Sequence, residues 1–184
     1  TIVGIVCKDG VVMAADRQVT MGQLIVSHKD YPKVVKLNDY LVVSGCGVVS
    51  DMERVLKLLK AELKLKELRS KSRPSVKQAA NLLGTMSYSG VRQPSMIPQQ
   101  AAFLIAGFNE DGSVELFSIG VDGTNYIIKD YDASIGSGMP FVLGLLERQW
   151  KKGMSVVEGI KLAVEALKSS TQRDIGSGYG IDVY

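Results

Sequence analysis

Residues 1–20 read TIVGIVCKDGVVMAADRQVT and contain two short apolar runs joined by the tripeptide KDG at residues 8–10. An Asp-Gly pair between two such runs is a strong signal for a tight hairpin turn. The chain is therefore predicted to begin with a β-hairpin. Two further strands are predicted at residues 34–37 and 40–45, which are rich in Val and Leu and are separated by an Asn-Asp turn signal.

Two amphipathic helices are predicted to follow these strands. From Val48 to about Ser70, apolar residues recur at helical spacing among many Lys, Glu and Arg residues. Pro74 ends this pattern because proline breaks a helix, and Ser75 can cap the next helix, which is predicted over residues 76–90. The first half of the chain thus has the order strands, then a helix pair.

The second half repeats this order. The pattern predicts four strands at residues 101–108, 113–119, 124–129 and 132–136, two helices at about 140–151 and 155–171, and a last strand in the closing GIDVY. A doubly wound parallel fold would alternate strands and helices, whereas this order suits two stacked antiparallel sheets with a helix pair on each outer face. We therefore predict a mixed α/β (α+β) fold, a four-layer αββα sandwich, in a single domain spanning residues 1–184.

Composition excludes several functional classes. No apolar run approaches the roughly 20 residues that cross a bilayer, so neither a membrane span nor a membrane partner is expected. The net charge is +3, and the basic residues are spread out instead of forming a stripe, so nucleic-acid binding is not expected. Cys7 and Cys46 lie in apolar stretches, which favours reduced thiols and a cytoplasmic location.

The residues of common hydrolase and metal sites are missing from the sequence. The single histidine, His28, lies in the polar stretch SHKDYPK and is more typical of a solvated loop than of a catalytic base. Neither HExxH nor paired CxxC motifs occur, so no metal or other cofactor is expected.

Thr1 offers a different chemistry, because it carries a hydroxyl nucleophile and its own α-amine. Free α-amines have a pKa of about 7.7–8.0, so a modest decrease leaves the amine neutral and able to accept the hydroxyl proton. Such a site needs no histidine. Taken alone, however, Thr1 could equally be an ordinary residue at a cut end of the chain.

Four groups of motifs connect Thr1 to a known family. They are KDGVVMAAD at residues 8–16, PKVVKL around Lys33, the GCGVVSD run that contains Gly47 and Asp51, and the pair IGSGMP and QRDIGSG. In this order they span nearly the whole chain. Together they resemble the 20S proteasome β-subunits, which are N-terminal nucleophile hydrolases, and the archaeal ones in particular, with some features of the trypsin-like type.

The resemblance implies an endopeptidase that hydrolyses unfolded proteins with an N-terminal Thr as nucleophile. Lys33 would lie beside the Thr1 hydroxyl and favour its alkoxide, and Asp16 would pair with Lys33. Two serines and an aspartate would surround the α-amine and orient the hydrolytic water. The implied catalytic residues are Thr1, Asp16, Lys33, Ser137, Asp174 and Ser177. Outside the family context these side chains would be interpreted as ordinary surface, turn and helix-end residues.

The resemblance also implies a substrate site. The backbone N–H of Gly47 would bind the oxyanion, because glycine has no Cβ to block the approaching carbonyl, and Thr20 would bind an extended substrate through its main chain. Glu53 could pair with a Lys or Arg of the substrate, or it could simply stabilise the first turn of a helix. The implied pocket lies around Gly45 and includes Tyr31, Val35, Val49 and Glu53.

As partners, the resemblance implies other β-subunits in two stacked seven-membered rings, flanking rings of α-subunits, and unfolded polypeptides as substrates. Autocatalytic processing would expose the threonine. A catalytically inactive, structural β-subunit of the same fold is the main alternative, and a different N-terminal nucleophile amidohydrolase is a second one. An α-type ring subunit is disfavoured because no extra segment precedes the first predicted strand.

The sequence departs from the family pattern at three points. Family members usually begin with two threonines, whereas T-IVG has one residue fewer before Asp16. In a strand, a shift of one residue turns each side chain to the opposite face, so the nucleophile is either Thr1 or a threonine immediately before it. Gln18 stands where the family commonly has Arg, which removes one charge close to the site. Met139 stands where Ser is frequent, which weakens the polar network expected around Ser137.

Overall fold

A computed structural model describes residues 1–22 and 24–184. The first half contains β1 (Ile2–Cys7), β2 (Gly10–Asp16), β3 (Val19–Met21), β4 (Ile25–His28), β5 (Val34–Lys36) and β6 (Leu41–Gly47), followed by helices α1 (Val49–Ser70) and α2 (Val76–Arg92). The second half contains β7 (Ala101–Phe108), β8 (Val114–Ile119), β9 (Asn125–Ile128) and β10 (Tyr131–Asp132), then α3 (Met139–Gln149), α4 (Val156–Thr171) and β11 (Ile181–Val183).

The strands form two main antiparallel sheets. One sheet has the order β10-β1-β2-β11, and the other has the order β5-β6-β7-β8-β9. The strands β3 and β4 pair only with each other and form a separate two-stranded ribbon. The predicted hairpin at the start of the chain is confirmed, since β1 and β2 pair from Ile2 with Ala15 to Cys7 with Gly10.

Three layers of buried apolar side chains hold the four structural layers together. Leu59 of α1 and Leu83 of α2 pack with Phe103 beneath the five-stranded sheet. Val3 packs against α3 and α4, whereas its neighbour Ile2 packs between the two sheets. Successive side chains of β1 therefore enter different cores, as the alternation of a strand requires. The predicted αββα sandwich is confirmed.

Two of the helices begin at capping boxes, which explains where they start. The Ser75 hydroxyl accepts from the Gln78 N–H, and the Gln78 side chain accepts from the Ser75 N–H. Ser155 and Glu158 make the same reciprocal pair at the start of α4. Such caps satisfy free N–H groups of the first turn, and each stabilises a helix by about 1 kcal/mol. The predicted capping role of Ser75 is confirmed.

The structure differs from the predicted elements at two places. The ribbon of β3 and β4 was not predicted. The strand predicted at residues 132–136 is limited to Tyr131–Asp132, because Asp132 accepts a hydrogen bond from the Ser134 N–H at 2.7 Å and the chain then turns through Gly136 at a φ of +116°. Within the described residues, no helix combines the length and the apolar character that a bilayer span requires.

Candidate active site

The hairpin of β1 and β2 places Thr1 directly beside Asp16. Since Ile2 pairs with Ala15, the next positions outward are Thr1 and Asp16, and the Asp16 N–H donates to the Thr1 carbonyl oxygen at 3.3 Å. The Thr1 α-amine donates to Asp16 Oδ1 at 2.5 Å, with both groups fully buried. The turn at residues 8–10 sets the register of the hairpin, and this register places the Asp16 carboxylate beside the Thr1 amine.

Asp16 is the hub of this half of the site. Lys33 Nζ lies 2.7 Å from Oδ1, and the N–H groups of Gln18 and Gly178 each donate to Oδ2 at 3.0 Å. Burial raises the pKa of Asp16, but the Thr1 ammonium and Lys33 outweigh this effect and hold the pKa below its usual range. Asp16 is therefore a carboxylate that holds Lys33 and, while the amine is protonated, the Thr1 ammonium as well.

The Thr1 hydroxyl belongs to a second chain of hydrogen bonds. Its Oγ1 lies 2.9 Å from Ser177 Oγ and accepts from the Gly138 N–H at 2.8 Å. Asp174 Oδ2 in turn accepts from Ser177 Oγ at 2.5 Å and from Ser137 Oγ at 2.8 Å. Burial raises the pKa of Asp174, but the two hydroxyl donors and the Gly176 N–H outweigh this effect and lower it, so the group is held ionised.

The α-amine of Thr1 is set up to lose its proton easily. Burial lowers the pKa of this amine below its ordinary value, and the nearby Lys33 cation lowers it further, while Asp16 acts in the opposite direction. The net effect of these three influences is a lowered pKa. Burial and Lys33 thus favour the neutral, proton-accepting form of this amine more than in an ordinary α-amine.

Two glycines of the IGSG motif let the chain approach Thr1 closely. A Cβ on Gly138 would overlap Thr1 Oγ1, and a Cβ on Gly136 would lie 3.0 Å from Thr1 Cα. Gly136 also has a φ of +116°, which other residues rarely adopt. The motif thus serves the site through its glycines as well as through Ser137.

The structure gathers all six predicted catalytic residues into one network, with Lys33 in a different place from the one expected. Lys33 was expected beside the Thr1 hydroxyl. It instead reaches the amine side through Asp16, and among the described residues Thr1 Oγ1 bonds to Ser177 and Gly138 and makes no hydrogen bond to Lys33. Because Val3 faces α3 and α4, strand alternation directs Thr1 to that same side.

A cleft of about 110 Å³ opens beside Thr1 and Lys33. Five of the predicted substrate-binding residues line it, namely Thr20, Tyr31, Gly45, Gly47 and Val49. Gly47 ends β6 at a φ of +131°, where a Cβ would overlap the carbonyl oxygen of Gln100, so the position accepts only glycine.

The two other predicted pocket residues lie outside this cleft. Val35 and Glu53 line a neighbouring depression, which shares Tyr31 with the cleft. Glu53 also lies 3.2 Å from Lys57, one turn further along α1, so a positive charge already faces its carboxylate. The cleft itself is lined by Met52, which occupies the same face of α1 as Val49.

A family model described as "Proteasome subunit" matches residues 1–184, the full length of the sequence. The chain belongs to the proteasome subunit family. It is 42% identical over 184 residues to "Proteasome subunit beta" of Nanoarchaeum equitans, which covers 100% of this chain and 91% of that protein. It is 42% identical to "Proteasome subunit beta 2" of Pyrococcus abyssi, over 100% of this chain and 84% of that protein. It is 38% identical to "Proteasome subunit beta 1" of Thermococcus kodakarensis, over 98% of this chain and 85% of that protein.

Sequence reasoning missed some cleft residues of this proteasome-family chain. Met52 and Cys46 line the cleft beside the predicted residues, and so does Gln18, which the sequence singled out only as a departure from the family pattern. A helical-spacing signal could have found Met52, because it lies three residues after Val49 in α1. Strand alternation places Cys46 with the sheet-to-sheet core, which Ile2 also enters.

Proposed function

We propose that this chain is a threonine endopeptidase whose nucleophile is the Thr1 hydroxyl, within a single domain spanning residues 1–184. One observation carries the proposal: Thr1 is 2% exposed, yet both of its functional groups have dedicated polar partners. The amine is held by Asp16, and the hydroxyl is held by Ser177 and the Gly138 N–H. A buried threonine with only a packing role does not require two carboxylates in its immediate surroundings.

The proposed reaction proceeds as follows. Oγ1 of Thr1 attacks the carbonyl carbon of the scissile peptide bond, and its proton passes to the neutral α-amine, whose pKa is lowered by burial and by Lys33. The Gly47 N–H stabilises the oxyanion. As the C–N bond breaks, the protonated amine returns its proton to the leaving nitrogen and an ester to Thr1 remains. Water then hydrolyses this ester, with the Ser137, Asp174 and Ser177 relay beside Oγ1.

We further propose assembly with other subunits of the proteasome family, as two stacked seven-membered β rings between rings of α-subunits in the cytoplasm. The sequence relationship to proteins named "Proteasome subunit beta" supports this proposal. The chemistry supports it as well, because an endopeptidase that acts on unfolded polypeptides must be kept away from folded cytoplasmic proteins. An enclosed chamber provides that separation.

Treatment of the assembled particle with a peptide epoxyketone tests the nucleophile. This reagent bonds to both a hydroxyl and a free α-amine on one residue, so we expect an adduct that intact mass and peptide sequencing map to Thr1. A Thr1→Ala particle should form no adduct, and its kcat/KM should fall by at least about a thousandfold. Thr1→Ser should retain part of the adduct formation and part of the kcat/KM. An assembled particle that forms no adduct would favour the structural subunit and contradict the proposal.

One structural observation favours a second position for the nucleophile. Thr1 Oγ1 faces α3 and α4, so the side chain of any residue joined to the Thr1 nitrogen would alternate to the cleft side, near Lys33. The same experiment separates the two forms of the proposal. An adduct one residue upstream keeps the endopeptidase function and moves the nucleophile, and Thr1→Ala would then retain adduct formation.

The position of Glu53 predicts the preference of the cleft. Because Lys57 faces Glu53 and the cleft is lined by Met52, Val49 and Gly45, we expect hydrolysis after Leu to exceed hydrolysis after Arg by about tenfold. Matched peptide substrates that differ only at this residue measure the ratio of kcat/KM. The Glu53→Gln variant should leave the ratio unchanged. Faster hydrolysis after Arg, abolished in Glu53→Gln, would restore the acidic-pocket hypothesis.

A further inference from the structure

Gln18 is a buried, uncharged side chain at the junction of the two halves of the site. It is 5% exposed. Its backbone N–H donates to Asp16 Oδ2 at 3.0 Å, and its Nε2 donates to the Ile175 carbonyl oxygen at 2.6 Å. One residue thus contacts the carboxylate that holds the amine and also the loop that carries Ser177.

That loop, residues 175–178, is also held by hydrogen bonds from Ser177 and the Gly176 N–H to Asp174, but its first residue has little apolar contact. Ile175 is 70% exposed, so its side chain adds little apolar burial. At the other end, the Gly178 N–H donates to Asp16 Oδ2 at 3.0 Å, and its carbonyl accepts from the Arg17 N–H at 3.2 Å. A Cβ on Gly178 would collide with Oε1 of Gln18, so this end packs directly on the amide.

We propose that Gln18 is a positioning residue for the reaction: its amide fixes residues 175–178 against the Asp16 segment and thereby holds the Ser177 hydroxyl on Thr1 Oγ1. The inference rests on the proposed endopeptidase function. In this proposal Gln18 itself does not contact the substrate. Its effect passes through Ser177, whose Oγ lies 2.9 Å from Thr1 Oγ1.

The neutrality of Gln18 is the second part of the proposal. The ionisable groups that face the Thr1 amine are Asp16 from β2, Lys33 from the segment before β5, the Cys46 thiol from β6 and Asp174 from the loop after α4. Gln18 joins the two halves of the site without changing this charge balance. A charged residue here would alter the pKa of the amine, and a glutamate would raise it.

Three variants in the assembled particle test the proposal. Gln18→Ala removes the amide, and Gln18→Asn retains an amide that is too short to reach Ile175. In both we expect kcat to fall about tenfold with little change in KM, because the site loses alignment instead of substrate contacts. Gln18→Glu should move the acidic limb of the kcat/KM profile to higher pH. Gln149→Ala, which changes an exposed glutamine of α3, is the matched control and should behave as wild type.

Hydrogen exchange measured by mass spectrometry gives a readout that is independent of activity. We expect faster exchange in peptides covering residues 174–180 of Gln18→Ala and Gln18→Asn than in wild type and Gln149→Ala. Wild-type exchange together with wild-type kcat in these variants would overturn the proposal, and so would a rise in KM alone. A wild-type particle without peptidase activity would instead overturn the proposed function, and the exchange data would still decide whether Gln18 holds the loop.

Discussion

Asp16→Asn is expected to lower the free energy of unfolding by about 3–5 kcal/mol, because it leaves the buried Thr1 ammonium and Lys33 without their shared carboxylate. Urea unfolding measures this loss, provided that the slope m of the unfolding free energy against urea concentration is the same in both proteins. Asp39→Asn is the matched control, since Asp39 also pairs with a lysine, Lys36, at 2.9 Å but its side chain is 98% exposed. An exposed pair of that kind contributes little, because solvent screens the attraction, so Asp39→Asn should unfold as wild type does.

The pH dependence of stability separates this ion pair from a packing effect. The pKa of Asp16 is lowered in the folded protein, so its contribution is present above the unfolded pKa of about 3.9 and is lost as pH falls through the folded value. The Thr1 amine has a lowered pKa too, so stability should also rise with pH between its folded value and about 8. Asp16→Asn should lack the acidic step. A loss below about 1 kcal/mol would contradict the hub role.

Gly138→Ala is expected to lower kcat/KM by about a hundredfold or more, because a displacement of about 1 Å at a catalytic group has that effect. The new methyl group would overlap Thr1 Oγ1 and lie 2.7 Å from the Ser170 Cβ. The φ of Gly138 is −81°, which alanine adopts without strain, so the effect comes from space and not from the backbone.

Gly144→Ala provides the control for Gly138→Ala. It lies within α3, and an added Cβ there meets nothing within 4 Å, so we expect unchanged kcat/KM and a stability gain of about 0.5–1 kcal/mol. Peptide hydrolysis and thermal unfolding of both variants make the comparison. Full activity in Gly138→Ala would show that the Thr1 hydroxyl is not the reacting group.

Most of the fold could be predicted because its signals are local. The Asp-Gly turn determines the first hairpin, and helical spacing identifies α1 and α2. The ribbon of β3 and β4 escaped because its strands are short and exposed, so alternation of apolar and polar residues gives no guide. The strand predicted at 132–136 is shorter because the Asp132 side chain bonds to the Ser134 N–H and the chain turns at Gly136, whose φ is +116°.

The site could be predicted by family motifs but not by spacing alone. Asp16 and Lys33 are brought together by the sheets, and Ser177 reaches Thr1 from 176 residues away in the sequence. Strand alternation at the end of β1 determines the partners of the Thr1 hydroxyl. Lys33 consequently bonds to Asp16, which also holds the amine, and not to the hydroxyl. Likewise, the turn of α1 decides that Met52 lines the cleft and Glu53 does not.

In the proposed form of the enzyme, in which Thr1 is the first residue, the complete burial of the Thr1 amine makes this amine a reporter of the folded state. Amine-acylating reagents should modify exposed lysines such as Lys57 quickly, and should reach Thr1 only when β1 separates from β2. Once acylated, the nitrogen can no longer carry a positive charge, and Asp16 loses one of its two cations. Such labelling should therefore trap the opened hairpin, so the rate of terminal acylation would measure how often the site comes apart.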